Sequence, residues 1–307
     1  MSYRLSRRGL LASAAAAPLA GLAARPALAQ AAQQGINTTD FRRVKLGDFE
    51  VTTLLAGTRT VPDPQTIFGL NVSEEDFAEA SEQAHIPTDK AQFFFTPTLV
   101  NTGAELVLFD TGLNAAGITA ALEAAGHAPG DIDVVVLTHM HGDHIGGLAD
   151  DSGAATFANA RYVTGSTEFD NWAQAGNDGF EAKVRPLAEQ MEMIAGGDSV
   201  TSGIEAVEAF GHTPGHMAFR LESGGQNLLI GADFANHYVW SLAHPDWEVK
   251  FDMDKSAAAA TRRELLGMMA AEKMPFIGYH MPFPAIGYVD EHDGGFHYTP
   301  MSYQLMM

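Results

Sequence analysis

The chain carries the sequence Thr138-His139-Met140-His141-Gly142-Asp143-His144 directly after a Val-rich run. That run, residues 133–138, predicts a buried strand, so three imidazoles and a carboxylate emerge together where the strand ends. These groups are ligands suited to Zn²⁺ and its neighbours. We expect the first two histidines to share one metal ion and the Asp-His pair to serve a second ion. Gly142 lets the backbone bend between the pairs, and Gly146-Gly147 permits close approach of the element behind.

Further candidate ligands follow other predicted strands at the same kind of position. They are His212 and His216 in the turn Gly211-His212-Thr213-Pro214-Gly215-His216 after the strand 205–210, Asp233 after the strand 228–232, and His280 after the strand 276–279. Loops at strand ends are the usual location of a site built on a sheet. A His-rich surface loop is the alternative for the first motif taken alone, and the additional candidates argue against it.

The remaining periodicity predicts a single α/β domain over residues 41–307. Two β-rich runs, 93–100 and 105–109, flank Asn101-Thr102-Gly103 and predict a hairpin. Apolar residues at helical spacing predict helices over 115–125, 167–174, 180–191 and 255–272. We find no internal repeat and no low-complexity linker that would divide this part of the sequence.

Composition excludes several classes of function. The 307 residues include 38 acidic and 18 basic side chains, for a net charge of −20, and no cysteine. Binding to nucleic acid or to an anionic membrane needs clustered Lys and Arg, so we expect no nucleic-acid partner and no stable membrane insertion. Without cysteine there is no disulfide, thiolate zinc site or Cys nucleophile, and metal chemistry must use His, Asp and Glu.

Residues 1–29 predict an export signal. They contain four arginines and no acidic residue, with Arg7-Arg8 before an Ala-rich apolar segment and Ala27-Leu28-Ala29 as the cleavage site. The paired arginines resemble a twin-arginine signal, and an ordinary secretory signal is the alternative. Residues 30–40 predict a polar linker. Either signal predicts a mature protein that is periplasmic or secreted.

The ligand motifs resemble those of the metallo-β-lactamase fold superfamily of dinuclear metallohydrolases. In that family an HxHxDH motif, a GHTPGH-type turn, an Asp after a later strand and a final His supply the metal ligands. The resemblance implies a four-layer αββα sandwich. It assigns one metal ion to His139, His141 and His212, the other to Asp143, His144 and His280, and the bridge between the ions to Asp233. It also implies that Asp110 and His216 orient ligands through hydrogen bonds.

Several shorter motifs are similar to the methyl parathion hydrolase and dihydrocoumarin lactonase branch of the superfamily. They are Leu46-Gly47-Asp48-Phe49-Glu50-Val51, Leu99-Val100-Asn101-Thr102-Gly103, Phe157-Ala158-Asn159-Ala160, Glu168 to Trp172 and His280-Met281-Pro282-Phe283-Pro284. The similarity makes Trp172 and Phe283 candidates for a substrate pocket. Asn236 and His237 are further pocket candidates because they follow Asp233 closely. Acyl-homoserine lactonases of the superfamily commonly carry Tyr at the position of Asn236, and Tyr238 is the nearby alternative here.

The resemblance implies a hydrolase in which a hydroxide that bridges the two metal ions attacks a lactone or an aryl ester. Asp233, which relays a proton, and Asp143 are the predicted catalytic carboxylates. Zn²⁺ is the favoured metal, with Mn²⁺, Co²⁺ and Fe²⁺ as alternatives.

Other activities stay open at this point. Hydrolysis of phosphotriesters is the first alternative, and hydrolysis of β-lactams is the next. A non-catalytic metal-binding protein is disfavoured because all seven ligand positions are filled. An iron-dependent oxidoreductase is disfavoured because no flavin domain accompanies the motifs. We expect a small neutral ester, lactone or phosphotriester as the substrate, and a homodimer stays open.

Overall fold

The computed structural model describes residues 39–302 of the chain. The strands in this part of the chain form two seven-stranded sheets and a two-stranded hairpin. The predicted signal, 1–29, and most of the predicted linker, 30–40, lie outside the described residues, so the domain and export assignments stay predictions. Among residues 39–302, no helix combines the length and the apolar character needed to span a membrane.

The strands differ in length and are named here in chain order. They are β1 (Phe41–Leu46), β2 (Phe49–Leu54), β3 (Gly57–Pro62), β4 (Lys90–Phe95), β5 (Thr98–Asn101), β6 (Leu106–Phe109), β7 (Val134–Leu137), β8 (Arg161–Gly165), β9 (Met191–Ile194), β10 (Ser199–Thr201), β11 (Ile204–Glu208), β12 (Met217–Ser223), β13 (Gln226–Ala232), β14 (Phe276–Gly278), β15 (Ile286–His292) and β16 (Gly295–Pro300).

The helices flank the sheets. They are α1 (Glu74–Gln83), α2 (Ala115–Ala124), α3 (Gly142–Ile145), α4 (Ser166–Ala175), α5 (Asp178–Lys183) and α6 (Lys255–Glu272), with 3₁₀ turns at Pro64–Thr66, Pro129–Asp131 and Arg185–Gln190 and a π-helical segment at Tyr238–Ala243. Side-chain caps fix the start of several of them, and at α6 the carboxylate of Asp254 accepts from the backbone N–H of Ala257.

The first sheet has the order β1-β2-β5-β6-β7-β8-β9, and the second runs from β10 to β16 in sequence. Strands β6, β7, β8 and β9 are parallel to one another. All four residues of β7 are buried, as expected for a Val-rich parallel strand that is covered on both faces. The carboxyl end of β7 therefore opens into a loop at a rigid edge of the sheet.

The two sheets pack face to face, with helices on the outside. The rings of Phe109 and Phe219 lie 5.1 Å apart between the sheets. The preceding residue of β6, Leu108, points the other way and packs with Ile118 of α2. Leu265 of α6 packs with the second sheet. This arrangement confirms the predicted four-layer αββα sandwich.

The structure also departs from the sequence prediction. The run 93–100 was expected to form one strand of a hairpin, but it divides between two sheets. Its first part belongs to β4, which pairs with β3, and its second part forms β5, which pairs with β6 as predicted. The hairpin β3–β4 and helix α1 were not predicted. They form a separate apolar cluster with Trp240 of the π-helical segment.

Candidate active site

The loop after β7 and the short helix α3 present four of the predicted ligands. Close backbone packing fixes this segment, because the backbone N–H of Thr111 donates to the carbonyl of His144 at 2.8 Å. A Cβ atom on Gly146 would lie 2.2 Å from the carbonyl oxygen of Leu113, and one on Gly147 would lie 2.1 Å from that of Thr111. The glycine pair is thus required for the close approach that the sequence predicted.

The first cluster consists of His139, His141 and His212. The Nδ1 atom of His141 lies 3.1 Å from Nε2 of His139 and 3.0 Å from Nε2 of His212. His139 and His212 are buried. The turn after β11 therefore brings His212 next to the histidines of the β7 loop, and these three nitrogens can hold one metal ion.

The second cluster consists of Asp143, His144, Asp233 and His280. Nε2 of His280 lies 3.1 Å from Oδ2 of Asp233 and 3.3 Å from Oδ2 of Asp143. Nε2 of His144 lies 3.5 Å from the same Asp233 oxygen. That oxygen is also 3.5 Å from Nε2 of His212, so Asp233 lies between the two clusters.

Hydrogen bonds on the far side of each ring set the proton positions. His144 donates from Nδ1 to the carboxylate of Asp110 at 2.8 Å, and His212 donates from Nδ1 to the carboxylate of Asp252 at 2.9 Å. His280 donates from Nδ1 to the backbone carbonyl of Phe94 at 2.9 Å. Carboxylates and carbonyls only accept, so each neutral ring directs an Nε2 lone pair into the site.

Burial keeps His139 and His141 neutral. It lowers the pKa of His139 well below the usual range, and the neighbouring His144 adds to this effect. Burial, followed by the neighbouring His212, lowers the pKa of His141 to about 3. Neutral imidazole is the form that binds metal.

The second cluster attracts positive charge. Burial lowers the pKa of His280, but Asp233 and Asp143 outweigh it and raise that pKa to about 10. Burial raises the pKa of Asp143, but His144 and His280 outweigh it and lower that pKa to about 2. The two carboxylates thus create a buried site that favours a cation, whether a proton or a metal ion.

The residues fit a pair of metal ions. In the first cluster Nε2 of His139, Nδ1 of His141 and Nε2 of His212 converge, and each can present a lone pair when its ring is neutral. In the second cluster Nε2 of His144 and Oδ1 of Asp233 are buried and have no hydrogen-bond partner among the described residues. Buried lone pairs without a donor are costly, and cations would satisfy them.

Asp110 and His216 contact the ligands without joining either cluster. Asp110 has a left-handed backbone, with φ of 60°, and accepts from the backbone N–H and the hydroxyl of Thr138 as well as from His144. His216 accepts at Nε2 from the backbone N–H of Asp233 at 3.1 Å. Both residues lie where supporting hydrogen bonds were predicted.

Sequence reasoning missed the role of Glu168 on α4. Its buried carboxylate accepts from four donors, namely the backbone N–H of Met140 and of Gly215, the hydroxyl of Thr213 and the indole N–H of Trp172. Met140 lies in the β7 loop, while Thr213 and Gly215 lie in the turn that carries His212. One carboxylate therefore ties the two loops of the first cluster together.

Asp252 is a second support that sequence reasoning missed. Its Oδ1 accepts from His212, and its Oδ2 accepts from the guanidinium of Arg262 at 3.1 and 3.2 Å. Arg262 is fully buried and also donates to the backbone carbonyls of Pro245 and Phe234. This buried ion pair locks the carboxylate, and through it the ring of His212.

Replacing Asp252 by alanine is expected to lower metal affinity by about 10- to 100-fold, because His212 loses the acceptor that fixes its ring. Competition with a coloured chelator would measure the affinity. Asp290→Ala, which removes an exposed carboxylate of β15, is the control. Unchanged affinity in Asp252→Ala would contradict this role.

A cavity of about 420 Å³ lies over the two clusters. Its lining includes His141, Asp143, His212, Asp233 and His280, with Arg59, Val61, Ile67, Phe93, Phe95, Leu113 and Phe251 as the other side chains. The hairpin β3–β4 thus supplies a large part of the wall.

The four predicted pocket residues do not line this cavity, which corrects the prediction. Trp172 is buried, with its ring centroid 5.7 Å from that of His141, and its indole N–H donates to Glu168. Asn236 is buried and donates to Oδ2 of Asp233 at 3.1 Å, so it supports that carboxylate. His237 lines a second cavity behind the hairpin, and Phe283 lines neither cavity.

Comparisons with known proteins agree with this geometry. A model of the metallo-beta-lactamase superfamily matches residues 96–277. An N-acyl homoserine lactonase from Bacillus sp. is 29% identical over 116 residues, which cover 37% of this chain and 43% of that relative. The chain spans about half the length of the curated relatives that it matches.

Solved structures are similar over most of the chain. AidC, a dizinc quorum-quenching lactonase in complex with a product, shares 25% identity and a TM-score of 0.79, over 86% of this chain and 98% of that chain. The hydrolase AbOPH of the β-lactamase superfamily shares 23% identity and a TM-score of 0.81, over 87% of this chain and 99% of that chain, and at this identity the likeness shows the fold alone.

The chain belongs to the metallo-β-lactamase superfamily. Its two groups of His and Asp side chains could each hold a divalent metal ion. The narrower similarity to the methyl parathion hydrolase and dihydrocoumarin lactonase branch stays a prediction.

Proposed function

We propose that this protein is a dinuclear metal-dependent hydrolase that opens lactones or cleaves aryl esters. The observation that carries the proposal is the pair of ligand clusters joined by Asp233 at the base of an apolar cavity. The likeness to AidC, named as a dizinc quorum-quenching lactonase, supports the lactone as a substrate class.

In this proposal His139, His141 and His212 would hold one ion and Asp143, His144 and His280 would hold the other, while Asp233 lies within reach of both groups. We favour zinc because of the His-rich ligand set, with Mn²⁺, Co²⁺ and Fe²⁺ as the alternatives. Two such ions would supply a Lewis acid and a water of lowered pKa at neutral pH.

The protein's own groups then have distinct tasks. Asp233 is the proton-relaying group, since its Oδ1 has no hydrogen-bond partner among the described residues. Asn236 holds the other oxygen of that carboxylate in place. Phe93 and Phe95 present apolar surface beside His280, with ring centroids 5.3 and 5.5 Å from it. Such walls accommodate an acyl chain or an aryl ring and exclude water.

Removal of metal tests the proposal. Dialysis against EDTA is expected to lower the rate on dihydrocoumarin at least about a hundredfold, because the site then loses both the Lewis acid and the water of lowered pKa. Adding Zn²⁺ back is expected to restore the rate, and elemental analysis should find two metal ions for each chain. A metal-free enzyme that kept its full rate would overturn the proposal.

A substrate panel separates the remaining activities. Dihydrocoumarin and an aryl acetate represent the proposed class, methyl parathion represents phosphotriesters, and a cephalosporin represents β-lactams. We expect kcat/KM to fall in that order. A higher kcat/KM on methyl parathion would favour the phosphotriesterase instead.

A further inference from the structure

The hairpin β3–β4 separates two cavities by the alternation of its side chains. Arg59 and Val61 of β3, with Phe93 and Phe95 of β4, face the cavity over the ligand clusters. Lys90, which pairs with the last residue of β3, lines the second cavity on the other side. Successive residues of a strand point to opposite faces, so the register of the hairpin decides which side chains face each cavity.

Arg59 is the one Lys or Arg side chain in the lining of the first cavity, as far as the chain is described. It makes no hydrogen bond, ion pair or ring contact with any residue in 39–302. By contrast, Arg262 and Arg263 each pair with a carboxylate. Arg59 is exposed, so its guanidinium is solvated and accessible to a ligand, at a wall whose other side chains, apart from those of the two clusters, are apolar.

The position of Arg59 relative to the clusters follows from the strand pairing. Arg59 lies directly opposite Phe93 in the antiparallel register. The ring of Phe93 in turn contacts His280, at 5.3 Å between centroids. Directly opposite residues have Cβ atoms about 5 Å apart. Phe93 therefore separates Arg59 from His280, and the guanidinium can contact a part of the substrate that lies beyond Phe93 from the ligand clusters.

We propose that Arg59 is a specificity-determining residue that binds an anionic group, such as a carboxylate, on the part of the substrate remote from the scissile bond. The inference rests on the proposed function and narrows its substrate class to esters or lactones with an apolar body and an anionic end. A guanidinium binds a carboxylate through two parallel hydrogen bonds. The overall negative charge repels anions, so a local cation is needed to retain one.

Matched esters test the inference. We would compare 4-nitrophenyl hexanoate with the mono-4-nitrophenyl ester of adipic acid, which carries a carboxylate in place of the terminal methyl group of the acyl chain. In Arg59→Gln the ratio of kcat/KM for the anionic ester to that for the neutral ester is expected to fall about tenfold, mainly through KM. Arg59→Lys keeps the positive charge but cannot donate two parallel hydrogen bonds, and it should give an intermediate ratio. Lys90→Gln removes one charge on the opposite face of the same hairpin and should leave the ratio unchanged.

Binding provides a measurement that does not depend on turnover. Hexanohydroxamic acid and the monohydroxamate of adipic acid carry the same metal-binding group, and only the second has a distal carboxylate. Calorimetry with metal-loaded protein should show that Arg59→Gln weakens the second ligand about tenfold more than the first.

The outcomes distinguish the two proposals. If no ester or lactone is hydrolysed while the hydroxamates still depend on Arg59, the proposed function fails and the anion site stands. Suppose instead that wild-type enzyme hydrolyses both esters, but Arg59→Gln changes neither the kcat/KM ratio of the esters nor the affinity ratio of the hydroxamates. The anion site is then wrong and the hydrolase stands. The same conclusion follows if Lys90→Gln changes these ratios as much as Arg59→Gln does.

Discussion

Asp233→Asn is expected to lower both the metal content and the rate on dihydrocoumarin, the rate by at least about a hundredfold. The Oδ2 atom of Asp233 lies within 3.5 Å of nitrogens from both clusters, at His212, His144 and His280. Loss of a group that only orients a metal ligand commonly costs about 10- to 100-fold, so loss of the group shared by both clusters should cost more. Asparagine keeps the size of the side chain but removes its charge and adds a donor that would face imidazole nitrogens.

Elemental analysis and kcat/KM on purified protein would measure this effect, with circular dichroism to check folding. Asp290→Asn is the matched control, because it removes the same charge from an exposed position on β15. An Asp233→Asn variant that held two metal ions and turned over at the wild-type rate would show that the two clusters do not share this carboxylate.

The clusters were accessible to sequence reasoning because each ligand follows a strand. The signal at His139 and His141 is local, since a Val-rich run ends directly before them. The signals at His212, Asp233 and His280 are also local, and the parallel and antiparallel pairing of the sheets brings these loops to one edge. Ligand chemistry and strand ends together therefore predicted the candidate residues, and the family resemblance implied how they divide into two clusters.

The supports of the clusters could not be predicted in the same way. Glu168 and Asp252 have no motif of their own, because their role depends on partners 28 to 47 and 10 to 40 residues away. A carboxylate on a predicted helix normally faces solvent, so sequence alone favours an exposed side chain. A signal did exist at Glu168, since Trp172 lies one helical turn further on and both residues are buried on the same face of α4.

The cavity wall was also beyond sequence reasoning. The hairpin β3–β4 pairs residues about 30 positions apart, and its long connection hides the hairpin signal of a short turn. Trp172 was predicted to line the pocket because its motif lies near the site. In the structure the indole N–H needs a buried acceptor and finds Glu168, which holds the ring under His141 instead of in the cavity.

Glu168→Ala is expected to destabilise the protein by about 3–5 kcal/mol, the usual cost of removing one partner from a buried charged network. Four donors, two of them backbone N–H groups in different loops, would lose their acceptor. Each buried donor without a partner costs about 1–3 kcal/mol, although local rearrangement and water entry reduce the sum. The pKa of Glu168 is raised by burial in spite of these hydrogen bonds, so part of the loss is offset by relief of a desolvated charge.

Urea unfolding of the metal-free protein would measure the change without a contribution from bound metal. Glu181→Ala is the matched control, since it removes an exposed helical glutamate paired with Arg185 and should change the stability far less than Glu168→Ala does. Glu168→Gln keeps an accepting oxygen but turns an amide donor toward existing donors, so its stability should fall between those of Glu168→Ala and the wild type.

Because the carboxylate joins the loop of Met140 to the turn of His212, Glu168→Ala should also weaken metal binding at the first cluster. If its unfolding midpoint and metal affinity both matched those of Glu181→Ala, the two loops would have to be held together by backbone packing alone, with Gly215 lying directly against α4.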